Sequence, residues 1–211
     1  MTNRHENTLR EPDPSRDYTH FPQHQVPARD RWFRAHDEKY SPWWFASPDG
    51  RFNLHPPRGT LNLGSSQEVA AREYLGPVLT HSRNLPISLV SHRKVSCLEV
   101  PELSAADFTS PAASAFGIVP GDVTAPMDKG YDTTRAWAER INSSGMGGIL
   151  ARSRFGAGTN PTCLFIFGNE GEHELGDLIS SEGSSLREIV SSMPGYVVDP
   201  IPHSGTLVVD P

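Results

Sequence analysis

Hydrophobic and polar residues alternate in short blocks along most of the chain. Apolar runs predict strands at 31–36 (RWFRAH), at 59–66 (GTLNLGSS), within 85–101, and in the segments GGILARSRF and PTCLFIFGNEG. We expect the last of these to be central because its apolar run is continuous. Residues 85–101 fit either a strand pair or one long bent strand, and 104–131 is expected to be an irregular surface excursion.

Three segments have the spacing of amphipathic helices. The first, SSQEVAAREYL, has Ser65 and Glu68 in a capping-box pattern and ends at Gly76. The second covers 132–145, where Trp137 and Ile141 share one face. The third covers 184–193, and GYVVDPIP follows as a closing strand. Strands and helices therefore alternate without a strict βα repeat, which favours a single α+β domain with a mixed sheet.

The first 28 residues have neither a helical nor a strand period. They are polar and rich in Pro, Arg and Asp, a composition that buries too little apolar area to offset the entropy of ordering. We therefore predict a flexible arm over 1–28 and a domain over 29–211.

Composition and charge exclude several classes of protein. The net charge of −6 argues against a protein that binds nucleic acid directly or lies on an anionic membrane. No apolar run approaches the roughly 20 residues that span a bilayer. Two cysteines, Cys97 and Cys163, do not suggest a disulfide framework, so a cytoplasmic location is expected.

Three polar residues stand where the local pattern would accept something else. Arg51 lies in a Gly/Pro-rich turn and could clamp a phosphate or simply be solvated. Glu73 lies beside the apolar face of its helix, either as a solvated edge carboxylate or as a carboxylate at the mouth of a cleft. Ser153 lies between two arginines at the end of a strand, where a lone serine is usually structural.

Familiar catalytic motifs are missing from the sequence. It contains no GxSxG elbow, no HExxH, no phosphate-binding GxxxxGK[ST], and no strand–GxGxxG–helix unit. A metal site is therefore not expected. The cluster of Trp43, Trp44 and Phe45 could stack on a flat ring, although such clusters more often belong to a core.

These pieces together resemble the RES-domain family, named for an Arg, a Glu and a Ser in that order. The first motif matches Gly50–Arg51–Phe52–Asn53, then Gly59–Thr60–Leu61, then a helix running from Ala70 to Glu73. The late motif matches Trp137, Gly145, Gly148–Ile149, Ser153–Arg154 and CLFIFG. The resemblance covers about residues 31 to 202.

The resemblance implies an ADP-ribosyltransferase-like fold with a mostly antiparallel split sheet and short flanking helices. It also implies cleavage of NAD⁺, which would be a substrate and not a bound cofactor, by hydrolysis or phosphorolysis. Many members are toxins held in check by a helix-turn-helix antitoxin, which makes such an antitoxin a candidate partner. A homo-oligomer stays open.

Carried over residue by residue, the catalytic positions are Arg51, Glu73 and Ser153. The positions expected to bind substrate are Arg34, Tyr40, Trp43, Trp44, Asn62 and Arg154. Asn62 departs from the family, which commonly has a tyrosine there, so another aromatic residue would have to supply the ring.

Cleavage of the nicotinamide–ribose bond passes through an oxocarbenium-like state, which needs a nearby anion. Glu73 is the candidate anion, Arg51 the phosphate clamp, and Ser153 a hydrogen-bond partner of the nicotinamide amide or ribose. Two alternatives stay open: a RES-like enzyme acting on another nucleotide in a biosynthetic pathway, and a binding module without turnover.

Overall fold

The structure, a computed structural model, describes residues 8–48, 50–125, 130–173, 175–179 and 183–199. Within these residues one large, mostly antiparallel sheet dominates, with strand order β1-β7-β8-β9-β4-β2-β6-β11 and β12 also pairing with β6. Two small two-stranded sheets join β10 to β3 and β13 to β5. The expectation of a single α+β domain with a mixed sheet is confirmed.

The strands are mostly short. They are β1 Gln23–Val26, β2 Asp30–Asp37, β3 Trp44–Phe45, β4 Arg58–Gly64, β5 Asn84–Pro86, β6 Arg93–Val100, β7 Leu103–Asp107, β8 Gly148–Arg152, β9 Thr162–Asn169, β10 Gly171–Glu172, β11 Asp177–Leu178, β12 Ser184–Ser185 and β13 Val197–Asp199. The helices are α1 Gln67–Leu75, α2 Val78–His81, α3 Pro120–Thr124, α4 Asp132–Ser143 and α5 Leu186–Ser192, with 3₁₀ turns at Ile87–Leu89 and Pro111–Phe116.

The large sheet is nearly divided in two between β2 and β4. These strands share a single register pair, Phe33 with Gly64, whereas β2 pairs with β6 along its whole length. Helix α1 begins just after β4 and packs on β2 through buried residues that include Ala70. A Cβ on Gly64 would lie 2.6 Å from the Ala70 nitrogen, so glycine is required for this approach. The split and the helix together create the recess that holds the site.

Helix α1 starts one residue later than the capping-box pattern predicts. The N-cap is Ser66, whose Oγ accepts a hydrogen bond from the Val69 nitrogen at 3.1 Å. Glu68 does not reach back to the cap but pairs with Arg72 one turn on. The end at Gly76, which has a φ of 51°, agrees with the sequence prediction.

The prediction of a flexible arm is wrong for residues 8–28. Tyr18 and Phe21 are each only 2 % exposed, and their rings pack against Trp137 of α4. The Trp137 indole N–H donates to the carbonyl of Arg10 at 2.8 Å, and β1 adds a strand to β7. The sequence hid this because each apolar residue is buried singly, without a period. Residues 1–7 lie outside the described part.

The described part of 104–131, residues 104–125 and 130–131, is also more ordered than predicted. β7 pairs in parallel with β8, and Ala105, Ala106 and Phe108 are buried. The small alanines at 105 and 106 conceal a strand that the large apolar residues of β9 make obvious. The strands predicted at 31–36 and 59–66 are confirmed, as are the two strands predicted within 147–171 and the three predicted helices. The closing strand is confirmed at 197–199, and its last predicted residues lie outside the described range.

None of the described helices is long and apolar enough to cross a membrane.

Candidate active site

Glu73 is the centre of a dense hydrogen-bond cluster on α1. Its Oε1 accepts from Ser153 Oγ at 2.5 Å, from the Arg154 nitrogen at 2.7 Å and from the Phe155 nitrogen at 3.3 Å. Its Oε2 faces Arg51 Nη2 at 3.6 Å, which is an ion-pair distance but too long for a hydrogen bond. One carboxylate oxygen is therefore fixed by the protein, and the other is available to a ligand.

The donors come from the turn that follows β8. Ser153 Oγ donates to Glu73 and accepts from the Gly156 nitrogen at 2.7 Å, so this hydroxyl bridges helix and turn. A Cβ on Gly156 would lie 2.5 Å from Pro161 and 2.7 Å from Ser153 Oγ, which leaves no room for a larger residue. Ser153 is 8 % exposed, and in this structure its hydroxyl is directed to Glu73 and not to a cleft.

Arg51 enters the site from a strained turn. The next residue, Phe52, has a φ of 64°, which is uncommon for a bulky side chain, yet its ring is fully buried. This conformation anchors the turn in the core and leaves the Arg51 guanidinium near Phe52 and Phe165. Among the described residues neither terminal nitrogen of Arg51 finds a hydrogen-bond partner, although both are buried. Two donors are thus available for an anion.

Arg34 on β2 brings a second buried cation. Its Nη1 is buried and has no hydrogen-bond partner within the described chain. Burial lowers the pKa of Arg34 to about 10, so the guanidinium is still protonated at neutral pH. A charge held this way is costly unless a ligand supplies the missing acceptor.

Two adjoining clefts meet at this cluster. We name them by one lining residue each: the Trp44 cleft, of about 410 Å³, and the Arg51 cleft, of about 290 Å³. Both are lined by the same four residues, namely Arg34, Asn62, Glu73 and Tyr74. The Glu73 carboxylate therefore lies at the junction, with room for a ligand part on either side.

The aromatic residues of the expected binding set divide between site and core. Tyr40 and Trp44 line the Trp44 cleft, with ring centroids 5.6 Å apart. Trp43 is 4 % exposed and belongs to the core cluster around Phe45 and Leu61, so its assignment to substrate binding was wrong. Trp43 lies in the turn before β3 and Trp44 begins that strand, and the two side chains lie in different surroundings.

The polar members of that set lie around the clefts. Asn62 is exposed, lines both clefts and makes no side-chain hydrogen bond with the described residues. Arg154 lines the Arg51 cleft, with its guanidinium 5.0 Å from the Phe155 ring centroid.

Sequence reasoning missed other cleft residues. Tyr74, Tyr131 and Phe155 line the Arg51 cleft, and Tyr74 also lines the Trp44 cleft. His36 lines the Trp44 cleft, and its Nδ1 lies 2.9 Å and 3.1 Å from the carbonyl oxygens of Asp37 and Tyr40. Burial lowers the pKa of His36. No local pattern marks these residues, although the position of Tyr74 directly after Glu73 was a usable hint.

Cys163 of β9 lies in contact with the same cluster. It is fully buried, and burial first, with the nearby Glu73 charge, raises the pKa of its thiol. A neutral thiol here is a packing residue for Glu73 and Ser153. Among the described residues, no group of three or more His, Cys, Asp or Glu side chains could hold a metal ion.

The class of this protein is defined by a mixed α+β domain in which an arginine, a glutamate and a serine meet beside a divided sheet. The RES domain model matches residues 31–184, and the chain belongs to the RES-domain family. No curated protein matches it. Among solved structures it is similar to the toxin of the "M.tuberculosis MbcT-MbcA toxin-antitoxin complex", with 13 % identity, a TM-score of 0.55, and coverage of 80 % of this chain and 92 % of that one. At this identity the likeness shows the fold.

Proposed function

We propose that the protein cleaves the nicotinamide–ribose bond of NAD⁺, with water or inorganic phosphate as acceptor. The observation that carries the proposal is the geometry of Glu73. Three donors hold Oε1, while Oε2 is left at the junction of two clefts. A carboxylate fixed in this way can stabilise a developing cation without reorganising during the reaction.

The reaction suits such a group. The bond between ribose C1′ and the nicotinamide ring nitrogen breaks, and its electron pair neutralises the pyridinium, so nicotinamide departs without a proton. The positive charge that develops on the ribose faces Glu73 Oε2. Oxygen of water or phosphate then bonds to C1′. When water is the acceptor, its proton passes to Glu73 or to solvent.

The charges of the site support a diphosphate-bearing substrate. Arg34 and Arg51 have buried N–H groups that find no hydrogen-bond partner in the described part of the chain, and the Glu73 carboxylate lies 3.6 Å from Arg51. The Arg51 cleft is lined by both guanidinium groups and by one carboxylate, Glu73, so positive charge is in excess where a diphosphate would lie. Arginine offers the planar pair of donors that such a group accepts.

The test is release of nicotinamide from NAD⁺ by the purified protein, with and without phosphate, followed by chromatography. Glu73→Gln should lower the rate by roughly 10²–10³, the usual effect of losing one preorganised electrostatic group. The matched control is Glu68→Gln on the same helix, whose carboxylate is 46 % exposed and pairs with Arg72. Equal rates in both variants would remove Glu73 from the mechanism.

Asn62 supports a second candidate function, action on an NAD-derived or other nucleotide. Its amide is exposed at the junction of both clefts and has no partner among the described residues, so it can bond to a substrate group. Comparing turnover of NAD⁺ with that of other nucleotides in the same assay separates the two. Preference for another nucleotide by tenfold or more in kcat/KM would favour the second function.

We also propose a helix-turn-helix antitoxin as partner. The support is the similar solved structure, which is a toxin-antitoxin complex. If this protein is a toxin, its expression should arrest growth, and co-expression of a helix-turn-helix protein encoded beside it should restore growth. Growth unaffected by the active enzyme would remove the toxin role.

A further inference from the structure

Exposed aromatic side chains are concentrated at one place on the described surface. Within the described residues, the exposed Phe, Tyr and Trp residues are Tyr40, Trp44 and Tyr74, at 56 %, 37 % and 41 %. All three line the Trp44 cleft, although they come from the loop after β2, from β3 and from α1. Aromatic rings left open to water around one concave site point to a ligand with a flat apolar face.

Tyr74 is held in place by a polar contact network. Its hydroxyl accepts a hydrogen bond from Arg93 Nε, and Arg93 Nη1 pairs with Asp37 Oδ2 at 2.8 Å. Asp37 also lines the Trp44 cleft. Arg93 thus joins helix α1 to the end of β2 across the cleft wall, which fixes one end of the exposed ring. An ordered ring loses less entropy on stacking than a mobile one.

Resting on the proposed function, we propose that Tyr74 is a ligand-binding residue that stacks a nitrogen heteroaromatic ring of the nucleotide substrate in the Trp44 cleft, together with Tyr40 and Trp44. The cleft volume of about 410 Å³ falls within the range of small-molecule sites. Its lining also includes Arg34, whose Nη1 has no hydrogen-bond partner among the described residues and is a donor for the phosphate attached to the same nucleoside. Arg93 is a positioning residue in this arrangement.

A dinucleotide carries two such rings, adenine and nicotinamide, and single nucleotides separate them. Calorimetric titrations with AMP, nicotinamide mononucleotide and ribose 5-phosphate use the full chain carrying Glu73→Gln, in which turnover does not disturb the measurement.

Tyr74→Leu keeps an apolar side chain and removes the ring. Tyr74→Phe keeps the ring and removes the hydroxyl. Trp44→Leu is a second test of the same wall, and Val119→Ala is the control, because Val119 is 48 % exposed and lines neither cleft.

Tyr74→Leu should weaken the binding of AMP or of nicotinamide mononucleotide about tenfold, which is in the lower range for the loss of one stacked base. The affinity for ribose 5-phosphate should stay within about twofold. The nucleotide that loses affinity identifies the ring. Trp44→Leu should show the same preference, and Tyr74→Phe should retain most of the affinity.

Three results would overturn the proposal. The first is unchanged affinity for both nucleotides in Tyr74→Leu. The second is a loss of affinity for ribose 5-phosphate in that variant as large as the loss for the nucleotides. The third is that the Glu73→Gln protein binds neither nucleotide more tightly than ribose 5-phosphate. The proposed reaction is judged separately by release of nicotinamide. A loss of affinity for one nucleotide alone, in a protein whose wild type releases no nicotinamide, would support this subsite and refute the reaction. Nicotinamide release by the wild type, with a KM for NAD⁺ that Tyr74→Leu leaves unchanged, would support the reaction and refute this subsite.

Discussion

Replacing Ser153 by alanine asks whether this serine acts on the substrate or through Glu73. In the structure its hydroxyl donates to Glu73 Oε1 and accepts from the Gly156 nitrogen. The substitution removes one of three donors to a carboxylate, and a hydrogen bond to a charged group contributes about 1.5–3 kcal/mol. If all of this is lost in the transition state, kcat/KM falls roughly 10- to 150-fold.

The loss should be smaller than that in Glu73→Gln. The backbone N–H groups of Arg154 and Phe155 still hold Oε1 in Ser153→Ala, so the carboxylate is loosened and not displaced. The assay is kcat/KM for nicotinamide release in the wild type, the two single variants and the double variant. Because Ser153 is proposed to act through Glu73, its removal should have little further effect once the carboxylate is gone.

Additive losses would refute this reasoning. If the double variant is slower than Glu73→Gln by the full factor seen for Ser153→Ala alone, the serine contacts the substrate directly. A rise in KM with unchanged kcat in Ser153→Ala would point the same way. Thermal unfolding of each variant is the control, since a drop of many degrees would mean that the rates report folding.

Three further predictions concern the rest of the molecule. Deleting residues 1–22 should lower the melting temperature strongly, because burial of Tyr18 and Phe21 contributes about 1.5–3 kcal/mol each; an unchanged melting curve would contradict the packing described above. Arg51→Lys should weaken the binding of ADP-ribose about tenfold in a calorimetric titration, and Arg51→Ala should weaken it more. A loss of stability with unchanged affinity would mean that Arg51 has a structural role. Gly64→Ala should destabilise the fold by about 1–3 kcal/mol in denaturant unfolding, since its Cβ would meet the α1 backbone, and a neutral result would show that α1 can shift.

Much of the sheet and the helices followed from local pattern, because the residues concerned form either a continuous apolar run or a periodic repeat. β9 is a continuous apolar run, and α4 presents Trp137 and Ile141 on one face. Adjacent residues could still be misassigned when both are aromatic: Trp43 and Trp44 are identical in type, and only the direction of the backbone decides which one is buried.

The contacts of the site lay beyond any local pattern. Glu73 meets Arg51 and Ser153 across 22 and 80 residues of chain, so no spacing rule places them together, and their assignment depended on the family resemblance. The geometry then adds what the resemblance lacked. Ser153 donates a hydrogen bond to the Glu73 carboxylate and therefore helps to hold it in place. Arg34, which was expected to bind substrate, adds a second buried cation from strand β2 and lines both clefts. A strand residue becomes a site residue here because β2 and β4 separate after one register pair, and that separation is a property of the whole sheet.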